Sequence, residues 1–196
     1  MAALTQLKTL QSKESIVSGI TSRADLMAAH AAGATYAGFI FVLTSPYGIA
    51  IEEAKEIAKN SPLKHIGIFQ NSDLADILYV VNEIKLDAIL LNGWETQAFI
   101  TQLRTQLPES IKIIKIAHLK DDAPKMNYQH VDFYLLGGHV GEILEPNWTL
   151  LQNIDLSNVF LSGNWRDSTL LPNIESRPLG FELNFKMSTA KMHWSH

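Results

Sequence analysis

Short apolar and β-branched runs alternate along the chain with longer stretches whose apolar residues recur every three or four positions. That alternation of period two and period 3.6 predicts βα units and a parallel sheet. The runs fall at residues 15–17, 36–41, 65–69, 88–91, 111–117, 133–136, 159–161 and 181–185. Eight strands of this kind favour a closed (β/α)8 barrel, the TIM-barrel class, over an open doubly wound sheet. In the first half the intervening helices are clearly punctuated. Thr21 or Ser22 can cap a helix running through Leu26 and Ala29, with Gly33 as its stop. A second carries Ile51, Ala54, Ile57 and Ala58 on one face, with Glu52 and Glu53 near its start. Ser72 is placed to cap a third, along Leu74, Ile77, Leu78 and Val81. A fourth spans residues 96–107, burying Phe99, Ile100, Leu103 and Leu107 and ending before Pro108.

The second half is less regular. Asp121, Asp122, Ala123 and Pro124 permit only a short helix, and residues 148–154 offer about two turns. No repeat, linker or low-complexity segment interrupts the 196 residues, so the reading is one barrel domain over 1–196. Residues 1–14 are read as an N-terminal extension and 187–196 as a C-terminal tail.

Composition narrows the function classes. With 46% hydrophobic and 18% charged residues, the chain has ample material for a core. The net charge of −4, with no basic cluster, argues against a nucleic-acid surface. There is no cysteine, which excludes disulfides, thiolate metal sites and a cysteine nucleophile. No apolar run approaches the roughly 18 residues needed to span a membrane. The first 14 residues lack a signal-peptide core. The expectation is a soluble, cytoplasmic protein, monomeric or homodimeric, with no cofactor.

In a βα barrel the chemistry sits past the C-terminal ends of the strands. Polar residues there are Ser18, Gln70, Asn92, His118, His139, Glu142, Ser162, Asn164, Asn184 and Lys186. His118 and His139 are the candidates for general acid or base, because imidazole titrates near neutrality. Either could activate Ser18, or each could be a rim residue bonded to a backbone carbonyl. His139 with Glu142, and His193 with His196, are weak metal spacings, and no metal site is expected. His30 and His65 read as structural. Trp94, Trp165 and Tyr47 stand at the expected mouth, where they either fill substrate space or offer an apolar binding surface. Trp148 reads as packing.

Several motifs carry a likeness. They are Ile16-Val17-Ser18-Gly19, Gly38-Phe39-Ile40-Phe41, Ser45-Pro46, Gly67-Ile68-Phe69, Leu135-Leu136-Gly137-Gly138 and Leu161-Ser162-Gly163-Asn164. In order and spacing, from about Ser15 to Phe185, they resemble the phosphoribosylanthranilate isomerase family of tryptophan biosynthesis, a (β/α)8 barrel. The resemblance implies an Amadori rearrangement of a phosphorylated aminoaldose to an aminoketose. The family's base is a cysteine ending strand one and its acid an aspartate after strand six. Here those positions hold Ser18 and Gly137.

A serine hydroxyl is a far weaker acid than a thiol, so it is a poor base near neutral pH, and glycine offers no group at all. The resemblance also implies phosphate-gripping glycine turns, which are altered here. Val140 to Trp148 keeps only Gly141 and Trp148, while Glu142 and Glu145 repel a phosphate and Pro146 removes a donor. The later turns read Gly163-Asn164 and Phe185-Lys186, and Lys186 could partly compensate as a point charge. Asn92 stands where the family places a histidine, and Tyr47 where it places an arginine. The family's closing helix is longer than the eleven residues that follow Phe185 allow.

Asn92, Gly163, Asn164 and Lys186 are therefore the substrate-binding candidates, with Ser18, His118 and His139 the catalytic ones. The expectation is a barrel that has lost the isomerisation and binds a ligand or partner. The alternatives are the family isomerisation, or isomerisation of another phosphorylated sugar, by substitute residues.

Overall fold

The computed structural model describes residues 14–42, 44–118, 124–137, 151, 154–162 and 178–184. Within them the chain alternates β1 (Glu14–Ser18), α1 (Arg23–Ala31), β2 (Tyr36–Ile40), α2 (Ile51–Ala58), β3 (Lys64–Phe69), α3 (Leu74–Glu83), β4 (Ala88–Leu91) and α4 (Gln97–Gln106). Four more strands follow: β5 (Lys112–His118), β6 (Phe133–Gly137), β7 (Val159–Ser162) and β8 (Gly180–Asn184). All pairings are parallel and run in sequence order, and β8 returns to β1, so the sheet closes into a barrel. The closing register pairs Ile16 with Glu182 and Ser18 with Asn184. At the seam a Cβ on Gly180 would lie 2.1 Å from the Glu14 carbonyl oxygen, so only glycine lets β8 approach β1 so closely.

The alternation of side chains separates two apolar layers. Ile16, Ile66, Leu90, Ile114, Leu135 and Phe160 fill the barrel interior. Val17, Phe39, Ile89, Ile113, Leu161 and Phe181 face outward, where Leu26, Ile77, Ile100 and Leu103 of the helices cover those described. Phe160 is almost wholly buried and meets Tyr36 and Phe133 edge-on, at centroid separations of 6.4 and 6.0 Å.

The helices begin and end as local chemistry directs. Ser22 caps α1, its hydroxyl accepting from the Asp25 N–H at 3.1 Å. Gly33, at φ +87°, then stops the helix. Thr96 caps α4 through the Phe99 N–H. Beyond α4, Arg104 donates to the carbonyls of Leu107 and Ile111, at 3.0 and 2.8 Å. The cap of α3 is Asp73 rather than Ser72, one residue later than its sequence suggests. His30 is exposed on α1, so it is not the interior residue its apolar neighbours imply. His65 is buried, with Nδ1 3.1 Å from the Lys85 carbonyl oxygen.

Each strand lies within a residue of its expected bounds at either end. Residues 124–132 reach β6 without a helix. The helix expected from Asp121 begins outside the described residues, as do most of residues 148–154, the N-terminal extension and the C-terminal tail. Among the described residues no helix is long and apolar enough to cross a membrane.

Replacing Phe160 by alanine empties the middle of the interior layer and is expected to cost about 3–5 kcal/mol. Chemical denaturation should show the loss as a lower midpoint.

Candidate functional site

The C-terminal end of the barrel gathers Ser18 from β1, Ser162 from β7, and Glu182 and Asn184 from β8. Strand register explains the grouping. Ile16 faces the interior, so Ser18 does too, and Glu182 lies inward between outward-facing Phe181 and Leu183. Ser18 Oγ donates to Glu182 Oε1, and Ser162 Oγ donates to Oε2 at 2.6 Å. Ser18 and Glu182 are both buried. Burial pushes the Glu182 carboxyl above the ordinary carboxylate range, and the two serine hydroxyls only partly oppose it. The centre of the site is thus one buried carboxyl group braced by two hydroxyls.

Gly137 lies beside this group. A Cβ built there would stand 2.8 Å from Ser162 Cβ and 3.3 Å from Ser162 Oγ. The position has no acid, and Ser162 fills the space into which a side chain would grow.

The loop after β4 is held from beneath. Lys115, on the outward side of β5, pairs with Glu95 at 3.0 Å, and both side chains are 3% exposed. Lys115 Nζ also donates to the carbonyls of Gly93 and Leu91, at 2.6 and 3.3 Å. Glu95 accepts from the backbone N–H groups of Asn71 and Gly93. Asn71 in turn accepts from the Trp94 N–H at 2.7 Å. These bonds fix the loop that carries Asn92, a buried residue at the end of β4.

Trp94 is 69% exposed and lies against His118, with ring centroids 5.2 Å apart. It therefore stands on the rim and does not fill the mouth. Tyr47, half-buried, packs onto the interior apolar layer. Ser18 gives its hydroxyl to Glu182 rather than to an imidazole, so the Ser18–His118 pair is not assembled. His139, Glu142, Gly163, Asn164, Trp165 and Lys186 lie outside the described residues.

Sequence reasoning missed Glu182, Glu95 and Lys115. The available signal was a charged residue inside an otherwise apolar strand, as in Phe181-Glu182-Leu183 and Ile114-Lys115-Ile116. Such a residue must be paired, protonated or placed at a site.

A closed parallel barrel with helices between its strands and polar side chains gathered at its C-terminal mouth defines a TIM barrel. The profile of N-(5'phosphoribosyl)anthranilate (PRA) isomerase matches residues 16–184. The chain belongs to the phosphoribosylanthranilate isomerase family. It is 38% identical over 151 residues to the tryptophan biosynthesis protein TrpCF of Salmonella typhi, covering 76% of this chain and 33% of that protein. It is 30% identical over 182 residues to the TrpCF of Vibrio parahaemolyticus, covering 90% of this chain and 37% of the relative. The chain thus spans about a third of the length of these curated relatives. The phosphoribosyl anthranilate isomerase structure from Thermus thermophilus superimposes with a TM-score of 0.74 at 22% identity, covering 87% of this chain and 86% of that one.

Two outcomes test this geometry. Folded Glu182 titrates above its ordinary 4.5, so its contribution to stability is full below that value and is lost as pH rises through the folded value. Between pH 5 and 8 the wild-type melting temperature should therefore fall relative to that of Glu182→Gln. Parallel melting curves would show an ordinary carboxyl. Glu95→Ala strands the Lys115 charge and should cost about 3–5 kcal/mol, much of it regained in the apolar double variant Glu95→Leu/Lys115→Met. Denaturant titration reads both.

Proposed function

We propose that this barrel has lost the Amadori isomerisation of its family and uses the same mouth to bind a ligand or partner. The observation that carries the reading is position 137, where the residue is glycine and offers no acid. Ser18 adds to it. Its hydroxyl is weakly acidic to begin with, and here it is spent as a donor to Glu182, so it presents no base to a substrate carbon.

The rearrangement needs both groups, because the ring oxygen must gain a proton and the neighbouring carbon must then lose one. Charge points the same way. Lys115 is held by Glu95 and two carbonyls behind the sheet and faces no anion in the mouth. Glu142, Glu145 and Pro146 make the sequence of the first phosphate turn poor for a dianion. The TrpCF relatives are tryptophan biosynthesis proteins, and descent from such a barrel accounts for the retained frame.

A second reading, isomerisation by substitute residues, draws its support from Glu182, a titratable group at the right end of the barrel. The decisive measurement is turnover of phosphoribosylanthranilate at high protein concentration, followed by loss of anthranilate fluorescence. The expected result is no rate above the uncatalysed background. A rate that Ser18→Ala abolishes would overturn the proposed loss.

A further inference from the structure

We propose that Asn92-Gly93 is a latent modification site at the barrel mouth, an asparagine placed to close a succinimide and held unreactive by the buried pair of Glu95 and Lys115. It is the one Asn-Gly step in the 196 residues. Glycine is the neighbour that lets a backbone nitrogen fold back onto an asparagine side chain, because it has no Cβ to obstruct the ring. This glycine is fixed by packing. A Cβ on Gly93 would stand 2.3 Å from Asn71 Oδ1 and 2.7 Å from the Asn71 backbone nitrogen. The neighbour that makes Asn92 reactive therefore cannot be exchanged for a bulkier one.

The network beneath the loop holds the atoms that the reaction has to move. Ring closure needs the Gly93 nitrogen to lose its proton and swing onto Asn92 Cγ. That N–H donates to Glu95 Oε2 at 3.1 Å, in a buried contact. A carboxylate on the N–H favours the protonated amide, because an amide anion would face a like charge. On either side of Asn92, Lys115 Nζ holds the carbonyls of Leu91 and Gly93, at 3.3 and 2.6 Å. The Asn92 N–H continues the ladder to the Phe69 carbonyl at 2.7 Å. The step can therefore react only after the loop opens, and opening breaks hydrogen bonds to two buried charges.

The chemistry balances with water as co-reactant. The Gly93 nitrogen gives its proton to solvent and attacks Asn92 Cγ, a C–N bond forms, and the side-chain amide leaves as ammonia. Water then opens the cyclic imide at either carbonyl, with no change of oxidation state. Opening at Cγ yields aspartate. Opening at the main-chain carbonyl carries the backbone through Cγ and yields isoaspartate. Leu90 faces the barrel interior and side chains alternate, so position 92 lies on the same inward side. Either product places a carboxylate there, in the loop that displays Trp94. Isoaspartate also lengthens the backbone between the two carbonyls that Lys115 holds.

Peptide mapping of the full chain, held at neutral pH and physiological temperature, reads conversion at Asn92 by mass, and methyltransferase labelling reads isoaspartate. Folded wild type should convert Asn92 at least about tenfold more slowly than the same chain in denaturant. Glu95→Leu/Lys115→Met removes both charges and leaves apolar packing. It should speed conversion in the folded state about tenfold or more, the protection expected of a hydrogen bond to a charged acceptor. Phe160→Ala weakens the core, leaves the network intact and should stay near the wild-type rate. Circular dichroism confirms that each variant is folded. Folded wild type reacting as fast as the denatured chain would overturn the inference, and that comparison needs no variant. An unchanged or slower rate in the folded double variant, or an equal rise in Phe160→Ala, would overturn it too.

Discussion

A closed barrel must be filled from within, and at its last seam this one is filled by a carboxyl group. Glu182 is the acidic side chain that the β8 register turns inward at the mouth, and among the described residues its hydrogen bonds come from the hydroxyls of Ser18 and Ser162. Desolvation then pushes its pKa up, because two serine hydroxyls solvate a carboxylate far less well than water does. It bridges β1 and β7 through Ser18 and Ser162, whose hydroxyls offset part of the cost of burying it. Register at the seam and chemistry at the mouth are thus two results of one burial event.

The opposite solution operates on the outer side of β5. Lys115 and Glu95 are equally hidden, but their charges meet at 3.0 Å and their remaining donors and acceptors go to the backbone. That pairing gives rigidity to the loop after β4, which carries Asn92 and displays Trp94 on the rim. One face of the mouth is therefore braced by an ion pair and another by a single carboxyl between two hydroxyls. The two respond differently to pH and salt. The buried pair is little screened by salt, whereas the lone acid changes character when it loses its proton.

The frame was legible in the sequence because it is written in periods. Strand runs such as Ala88 to Leu91 are buried on both faces, and helix stripes such as Ile100 with Leu103 bury one side, whatever their neighbours do. Caps were legible where a side chain bonds its own helix, as at Ser22 and Thr96, and less so at α3, where Asp73 caps without a side-chain bond. The site was harder to read. Ser18 and Gly137 stood out through likeness to a family, but Glu182, which Ser18 bonds, lies 164 residues from it along the chain. Only barrel closure brings Glu182 to Ser18, and no local pattern encodes that meeting. His118 illustrates the converse, since its place at the end of β5 was predicted correctly while its neighbour proved to be Trp94.

The close approach of Ser162 to Gly137 also bears on which substitutions the chain can take. A side chain introduced at position 137 would bring its Cβ to 2.8 Å from Ser162 Cβ, closer than two such atoms sit, so one of the two strands has to give. Room at the end of β6 is therefore set from β7, and the two positions are constrained as a pair. Packing of this kind makes neighbouring strand ends vary together while the barrel around them stays intact.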